Sequence, residues 1–333
     1  MKNNYKKSFL KTGVVNTGVI FNKKDCKKLY NEILNTRDFA NSLFVSEKYY
    51  NFKEKLNNFL LKLFPRIYPG LINLKKKIRK RSKHPEVGVK GPNLAKKIDL
   101  SVIEENLKFK KILTDVCGKN YKILLKKVVV GAPKEWIPFW IEKNIKNSQD
   151  TNLAKFVKQK YRDVTYFRGI DFHQDIKDEA KKNIKDFITA YVYLNDVNTG
   201  MAPLITLKNS HKFGVTKFPH KLKVLVSNKI KYSNDYGKSL NLQAEMLLGK
   251  SGQFMFWTSY TLHGTRPQFS STPRISLRYF IQMKTPHEKC LLNNVQKKIN
   301  GSLLGETRND LDPLRRIIKR GNIINNLFLK KQI

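Results

Sequence analysis

The chain has 333 residues, 40% of them hydrophobic, and a formal net charge of +40 from 66 Lys and Arg against 26 Asp and Glu. It can bury a full core, contains no stretch near the roughly 20 uncharged apolar residues of a membrane span, and has only three scattered cysteines. Cys26, Cys117 and Cys290 form no CxxC pair, which argues against a disulfide framework and a thiolate zinc site, so any metal must be held by His and carboxylates.

Met1 to Lys11 is basic and lacks the apolar segment of a secretory signal, so the expected location is cytoplasmic. Val14 to Phe21 is apolar and β-branched. Asn22 then opens a segment with Cys26, Leu29, Tyr30, Ile33 and Leu34 on one helical face, with Asn22 as cap and Asp25 in the first turn. Lys75 to Lys83 holds seven basic residues in nine positions and reads as a solvated loop or helix end. Ser101 and Glu104 have capping-box spacing ahead of a helix with Phe109, Ile112, Leu113 and Val116 inward and Gly118 as its stop.

From Tyr121 the pattern becomes β-rich: strands are predicted at Lys122 to Val130, Val164 to Phe172, Phe187 to Leu194, Leu204 to Leu207, Gln253 to Tyr260 and Ile275 to Ile281. One domain with appendages is expected. Residues 1–120 form a helical support with a basic run over 75–97, and 121–285 a β core with an insertion over 213–248. Residues 286–333 form a basic helical tail. The charge would attract polyanions, but lysine is spread along nearly the whole chain beside abundant Asn and Ile, as a biased genome composition would produce.

His173 and Asp175 stand two apart at a strand end, so an imidazole and a carboxylate reach one side of the sheet. HxD alone is weak evidence. Ninety residues on, the strand Gly252 to Trp257 leads into Leu262-His263-Gly264-Thr265, and Arg274 follows His263 by eleven positions.

This order of HxD, distal His and Arg resembles the phytanoyl-CoA dioxygenase family of Fe(II)/2-oxoglutarate oxygenases. Gly18 to Phe21 with Asp25 to Leu29 resembles that family's opening strand and helix. Tyr193 to Asp196 and Pro203 to Lys212 resemble its central region, and the resemblance runs over roughly residues 13 to 283. Asn209 stands where the family usually has Gly, and Gln253 where an acidic residue is common.

The resemblance implies a double-stranded β-helix with flanking helices. His173, Asp175 and His263 would be the ligands of one Fe(II), the facial triad that leaves coordination positions open for 2-oxoglutarate and O₂. Arg274 would anchor the distal C5 carboxylate of 2-oxoglutarate through its guanidinium fork, with Thr265 adding a hydroxyl hydrogen bond. The implied reaction couples decarboxylation of 2-oxoglutarate to succinate with hydroxylation of a small or medium-sized, plausibly anionic, organic substrate. An intact Asp175 favours hydroxylation over halogenation, for which related enzymes replace the carboxylate.

Arg278 shares the strand face of Arg274 and is the fallback anchor. His211 is expected to be structural, and Trp136, Trp140, Trp257, Phe139 and Tyr166 are more often core than pocket at such spacings. Phe172, beside the HxD, is a slightly better pocket candidate. Competing readings are an oxygenase acting on nucleic acid, a non-catalytic barrel that only binds, and a basic scaffold in which the motif is accidental.

Overall fold

The structure, a computed structural model, describes residues 4–65, 67, 71, 93–145, 150–175, 187–214, 216, 220–225, 228–234 and 236–283. The Lys75 to Lys83 run, Cys290 and the expected tail over 286–333 lie outside the described residues. No helix among the described residues is long and apolar enough to cross a membrane.

Three helices and one strand come first. The basic leader forms α1, Tyr5–Thr12, capped by Asn4 and ended by Gly13 in the left-handed region, and β1 is Val14–Val19. Asn22 caps α2, Lys23–Asn35, accepting the Lys24 N–H at 2.7 Å, and Cys26, Leu29 and Ile33 are its buried face, as the periodicity predicts. Helix α3 is Glu47–Leu63.

The expected capping box at Ser101 is not what starts the next long helix. Ser101–Glu104 is a single turn that stops at Glu105, and Asn106 caps α4, Leu107–Cys117, accepting the Phe109 N–H at 3.0 Å. The Ser101 N–H is instead held by Asp99 Oδ1 at 2.9 Å. Gly118 closes α4 at φ 89°, and Phe139–Ile145 forms α5.

The strands are β2 (Lys122–Gly131), β3 (Asp150–Asn152), β4 (Thr165–His173), β5 (Phe187–Tyr193), β6 (Leu204–Leu207), β7 (Lys221–Val224), β8 (Lys229–Ser233), β9 (Ser239–Leu247), β10 (Gln253–Thr258), β11 (His263–Thr265) and β12 (Arg274–Gln282). They pair in the order β1-β10-β5-β12-β2-β4-β11-β6-β9-β8-β7, with β3 on β4. Every pairing along this order is antiparallel except the short β2–β4 contact. From β2 onward the chain moves back and forth between a half containing β10, β5, β12 and β2 and a half containing β4, β11, β6 and β9. That alternation is the double-stranded β-helix, a jelly roll.

Residues 221–247, for which the sequence suggested no structure, form the β7–β8–β9 meander, and β9 pairs with β6 in register Leu204↔Leu247 to Leu207↔Ala244. The outer face of the first half carries Phe254, Phe256, Leu277 and Tyr279, which the helices cover. Phe109 of α4 lies at the centre of this contact, 5.1 Å from the Phe254 ring and 5.9 Å from Tyr279, each aromatic pair adding about 0.5–1.5 kcal/mol beyond the area it buries. The inner face holds Tyr191, Tyr193, Met255 and Trp257. Strand alternation thus gives the strands of this half one side for the helices and one for the barrel interior.

Candidate metal centre

His173 ends β4 and His263 opens β11, and the two strands pair with these residues directly opposite each other. Their ring centroids are 4.3 Å apart. Asp175, two residues beyond His173, brings Oδ2 to 3.2 Å from His263 Nε2 and Oδ1 to 3.9 Å from His173 Nε2. One ligand atom from each of the three lies within 4.8 Å of the others, a spacing one ion can bridge, and among the described residues this is the only such His, Cys, Asp or Glu group. Two imidazoles and one carboxylate fit a non-haem iron facial triad.

The surroundings orient these atoms. His263 Nδ1 lies 3.0 Å from the Thr261 carbonyl, so that nitrogen carries a proton and Nε2 is the atom turned toward Asp175. The Thr189 hydroxyl donates to Asp175 Oδ2 at 2.7 Å. Gln174, buried and standing between His173 and Asp175 in the chain, donates to the carbonyls of Gly214 and Tyr260 and accepts the Thr216 N–H. Burial by itself would raise the Asp175 carboxyl; attraction and a hydrogen bond to His263, with His173 and Arg278, outweigh it and hold the group well below the usual carboxylate range.

Arg274 begins β12 and is fully buried. Its Nη1 donates to the Ala202 carbonyl at 2.6 Å, while Nε and Nη2 have no hydrogen-bond partner. The guanidinium lies 4.7 Å from the Phe167 ring centroid and within 6 Å of Tyr191 and Tyr193. Burial pulls its pKa down from the ordinary guanidinium value, with Tyr193 and Tyr191 opposing. A buried cation with two idle donors is a costly arrangement unless an anion completes it. Trp257 Nε1 and Ser276 Oγ, on the same interior face, are also buried without partners. These orphaned donors fit a small dicarboxylate such as 2-oxoglutarate.

Thr265 is buried, and its Oγ1 accepts the Ile170 N–H at 2.9 Å, clamping the register shift between β11 and β4. Arg278 is half-buried on the face of Arg274, opposite Tyr191 on β5 and Lys127 on β2. Trp257 stacks on Tyr191 at 5.3 Å and meets the His263 ring at 4.8 Å, so of the three tryptophans it alone belongs to the site. Trp136 stacks on Phe39, Trp140 packs on Tyr50 and Phe156, and the Tyr166 hydroxyl accepts from Arg37; all are core. Phe139 is exposed, and Phe172 packs under the second half of the barrel.

His211 is buried in the Ser210–Phe213 turn against Gly13, where a Cβ on the glycine would collide with its ring. Asn209, in place of the usual glycine, adopts φ 69°, a left-handed conformation that asparagine tolerates better than most residues. Gln253, at the other departure, donates to the Leu248 carbonyl and fills the space beside Gly249. Thr189 and Gln174 are site residues that sequence reasoning missed. Thr189 had a signal, being the only aliphatic hydroxyl in the otherwise apolar and aromatic run Phe187-Ile-Thr-Ala-Tyr-Val-Tyr193.

No family model matches the chain, and no curated protein is similar to it in sequence. Solved structures similar to it include the non-heme alpha ketoglutarate dependent epimerase SnoN from nogalamycin biosynthesis, 11% identical over 84% of this chain and 82% of that one, with a TM-score of 0.44. The non-heme alpha ketoglutarate dependent carbocyclase SnoK from the same biosynthesis is 10% identical over 90% and 91%, with a TM-score of 0.41. EvdO2 from Micromonospora carbonacea var. aurantiaca is 10% identical over 87% and 96%, with a TM-score of 0.45. Likenesses this distant leave the chemistry to be read from this chain's own side chains.

Proposed function

We propose that the chain is an Fe(II)- and 2-oxoglutarate-dependent dioxygenase, similar to the phytanoyl-CoA dioxygenase family, that hydroxylates a small or medium-sized organic substrate. The observation that carries this reading is the combination of the His173–Asp175–His263 cluster with the idle, fully buried donors of Arg274 on the same barrel interior. Neither feature alone is specific; a structural ion-pair cluster would not need a second, unpaired cation beside it.

Iron bound with 2-oxoglutarate supplies O₂ activation coupled to oxidative decarboxylation of the co-substrate. In this reading His173 and His263 bind the metal as neutral imidazoles, with the Thr261 carbonyl fixing the His263 tautomer. Thr189 holds one oxygen of Asp175 so that the carboxylate cannot rotate out of the triad. Arg274 would receive the C5 carboxylate through a paired, charge-assisted contact, to which the Thr265 hydroxyl on β11 would add. Trp257 and Tyr191 wall the interior against bulk water. The excess of basic residues favours an anionic substrate, and the intact carboxylate favours hydroxylation.

The test is anaerobic titration of metal-free protein with Fe(II) and then 2-oxoglutarate, following the visible charge-transfer band of the chelate. Wild type should develop the band, and Asp175→Ala and Arg274→Ala should lose or greatly weaken it. Correctly folded wild type without the band would sink the oxygenase reading.

A further inference from the structure

Helix α3 is turned the opposite way from an ordinary surface helix. It docks on the rest of the protein through Tyr50, Glu54 and Leu61, with Tyr50 packed on Trp140 and Phe156 and Glu54 paired with Lys155 at 3.2 Å. On roughly the opposite side, at about 100° per residue, stand Tyr49, Phe52, Leu56, Phe59 and Leu63. They are 55%, 64%, 43%, 57% and 54% exposed, although a helix with an apolar stripe normally buries it.

The spacing of these five residues is alternately three and four. That makes Tyr49, Leu56 and Leu63 a-type positions and Phe52 and Phe59 d-type positions of a heptad repeat, the narrow seam by which one helix packs on another. The flanking positions are equally regular: Lys48, Lys55 and Lys62 fall at every g and Lys53 at the first e. Residues at e and g meet their counterparts across such a seam and set partner choice. A second copy would oppose lysine to lysine in either orientation, and the chain's own residues 286–333 are rich in Lys and Arg. The strict alternation of three and four, with lysine at every g position, is the pattern of a helix-packing seam and favours a partner helix as the occupant.

We infer that the outer face of α3 is a docking seam for an acidic amphipathic helix of a partner protein, with glutamates or aspartates opposite Lys48, Lys55 and Lys62.

The probe is a synthetic acidic helix about four heptads long, with Leu at a and d and Glu at e and g; its basic counterpart carries Lys at e and g. Fluorescence anisotropy with the full chain should show binding of the acidic peptide about tenfold or more tighter than the basic one. Phe52→Ser/Phe59→Ser, which leaves the charge unchanged, should abolish that binding. Lys48→Glu/Lys55→Glu/Lys62→Glu should invert the preference while the chain as a whole stays strongly basic, which separates the seam from bulk attraction. Circular dichroism checks that both variants retain their helices. Acidic-peptide binding that survives the Phe pair would overturn the inference. So would concentration-dependent self-association, or sedimentation with phosphatidylserine vesicles, if either is lost in the Phe pair while the peptide fails to bind wild type.

Discussion

Replacing Arg274 by methionine should move stability and co-substrate binding in opposite directions. The guanidinium is fully buried, one of its nitrogens donates to the Ala202 carbonyl, and two others have no partner. Removing an incompletely paired buried charge in favour of an apolar side chain of similar volume is often neutral or stabilising by about 1–4 kcal/mol. Here the gain is offset by about 1–2 kcal/mol for the Ala202 carbonyl that loses its donor, leaving an expected change of roughly −1 to +3 kcal/mol, centred on a gain of about 1 kcal/mol. Binding of 2-oxoglutarate should fall, because a buried charge-assisted pair contributes about 2–5 kcal/mol, or about 30- to 4000-fold in Kd. Urea unfolding of the ligand-free protein and anaerobic calorimetry of 2-oxoglutarate with the Fe(II) form measure the two halves. An Arg274→Met protein destabilised by about 3 kcal/mol that still binds 2-oxoglutarate as well as wild type would refute the argument: the arginine would then be a structural brace.

Thr189→Val removes the hydroxyl that holds Asp175 Oδ2, and should lower metal affinity about 10- to 100-fold with little change in fold, read by metal content after dialysis. Gln174→Ala leaves the carbonyls of Gly214 and Tyr260 and the Thr216 N–H without their partner, so stability should drop by about 3 kcal/mol or more in denaturant unfolding. Lys127 is half-buried opposite Arg278, and burial, then the Arg278 charge, push its pKa from 10.5 down to about 8. The folded protein therefore releases this proton before the unfolded chain does, so the charged form is a burden below pH 8 that is relieved as pH rises from 8 to 10.5. With a discount for partial exposure, Lys127→Met should gain about 1–2 kcal/mol at pH 7. Its advantage over wild type should shrink toward pH 10.5 in paired melting curves; an advantage independent of pH would mean that packing, not charge, is the cause.

The local elements were largely legible in the sequence. Asn22 before an apolar 3.6-residue repeat, and β-branched runs between turns, depend on backbone sterics and on which side faces oil, both written within a few residues of each other. Two local signals misled or were silent: Ser101 with Glu104 has the spacing of a cap but lost to Asn106, and β7–β9 carries too many lysines and asparagines to read as sheet. β9 is nevertheless a sheet strand because its alternate residues, Leu242 and Ala244, find the core beside Ile205 and Leu207.

For the site, the sequence determined the residue types and their order: an HxD pair, a distal His and an arginine eleven positions beyond it. Only the tertiary structure decided that β11 pairs with β4 so that His263 faces His173, a contact spanning 90 residues that no local pattern encodes. It also decided that Thr189 reaches Asp175, that Trp257 rather than Trp136 or Trp140 meets the site, and that Arg274 keeps two donors idle. The physical reason is the same in each case: strand register and sheet closure bring distant side chains within a few ångströms, and the energy that selects them is the packing of the whole barrel.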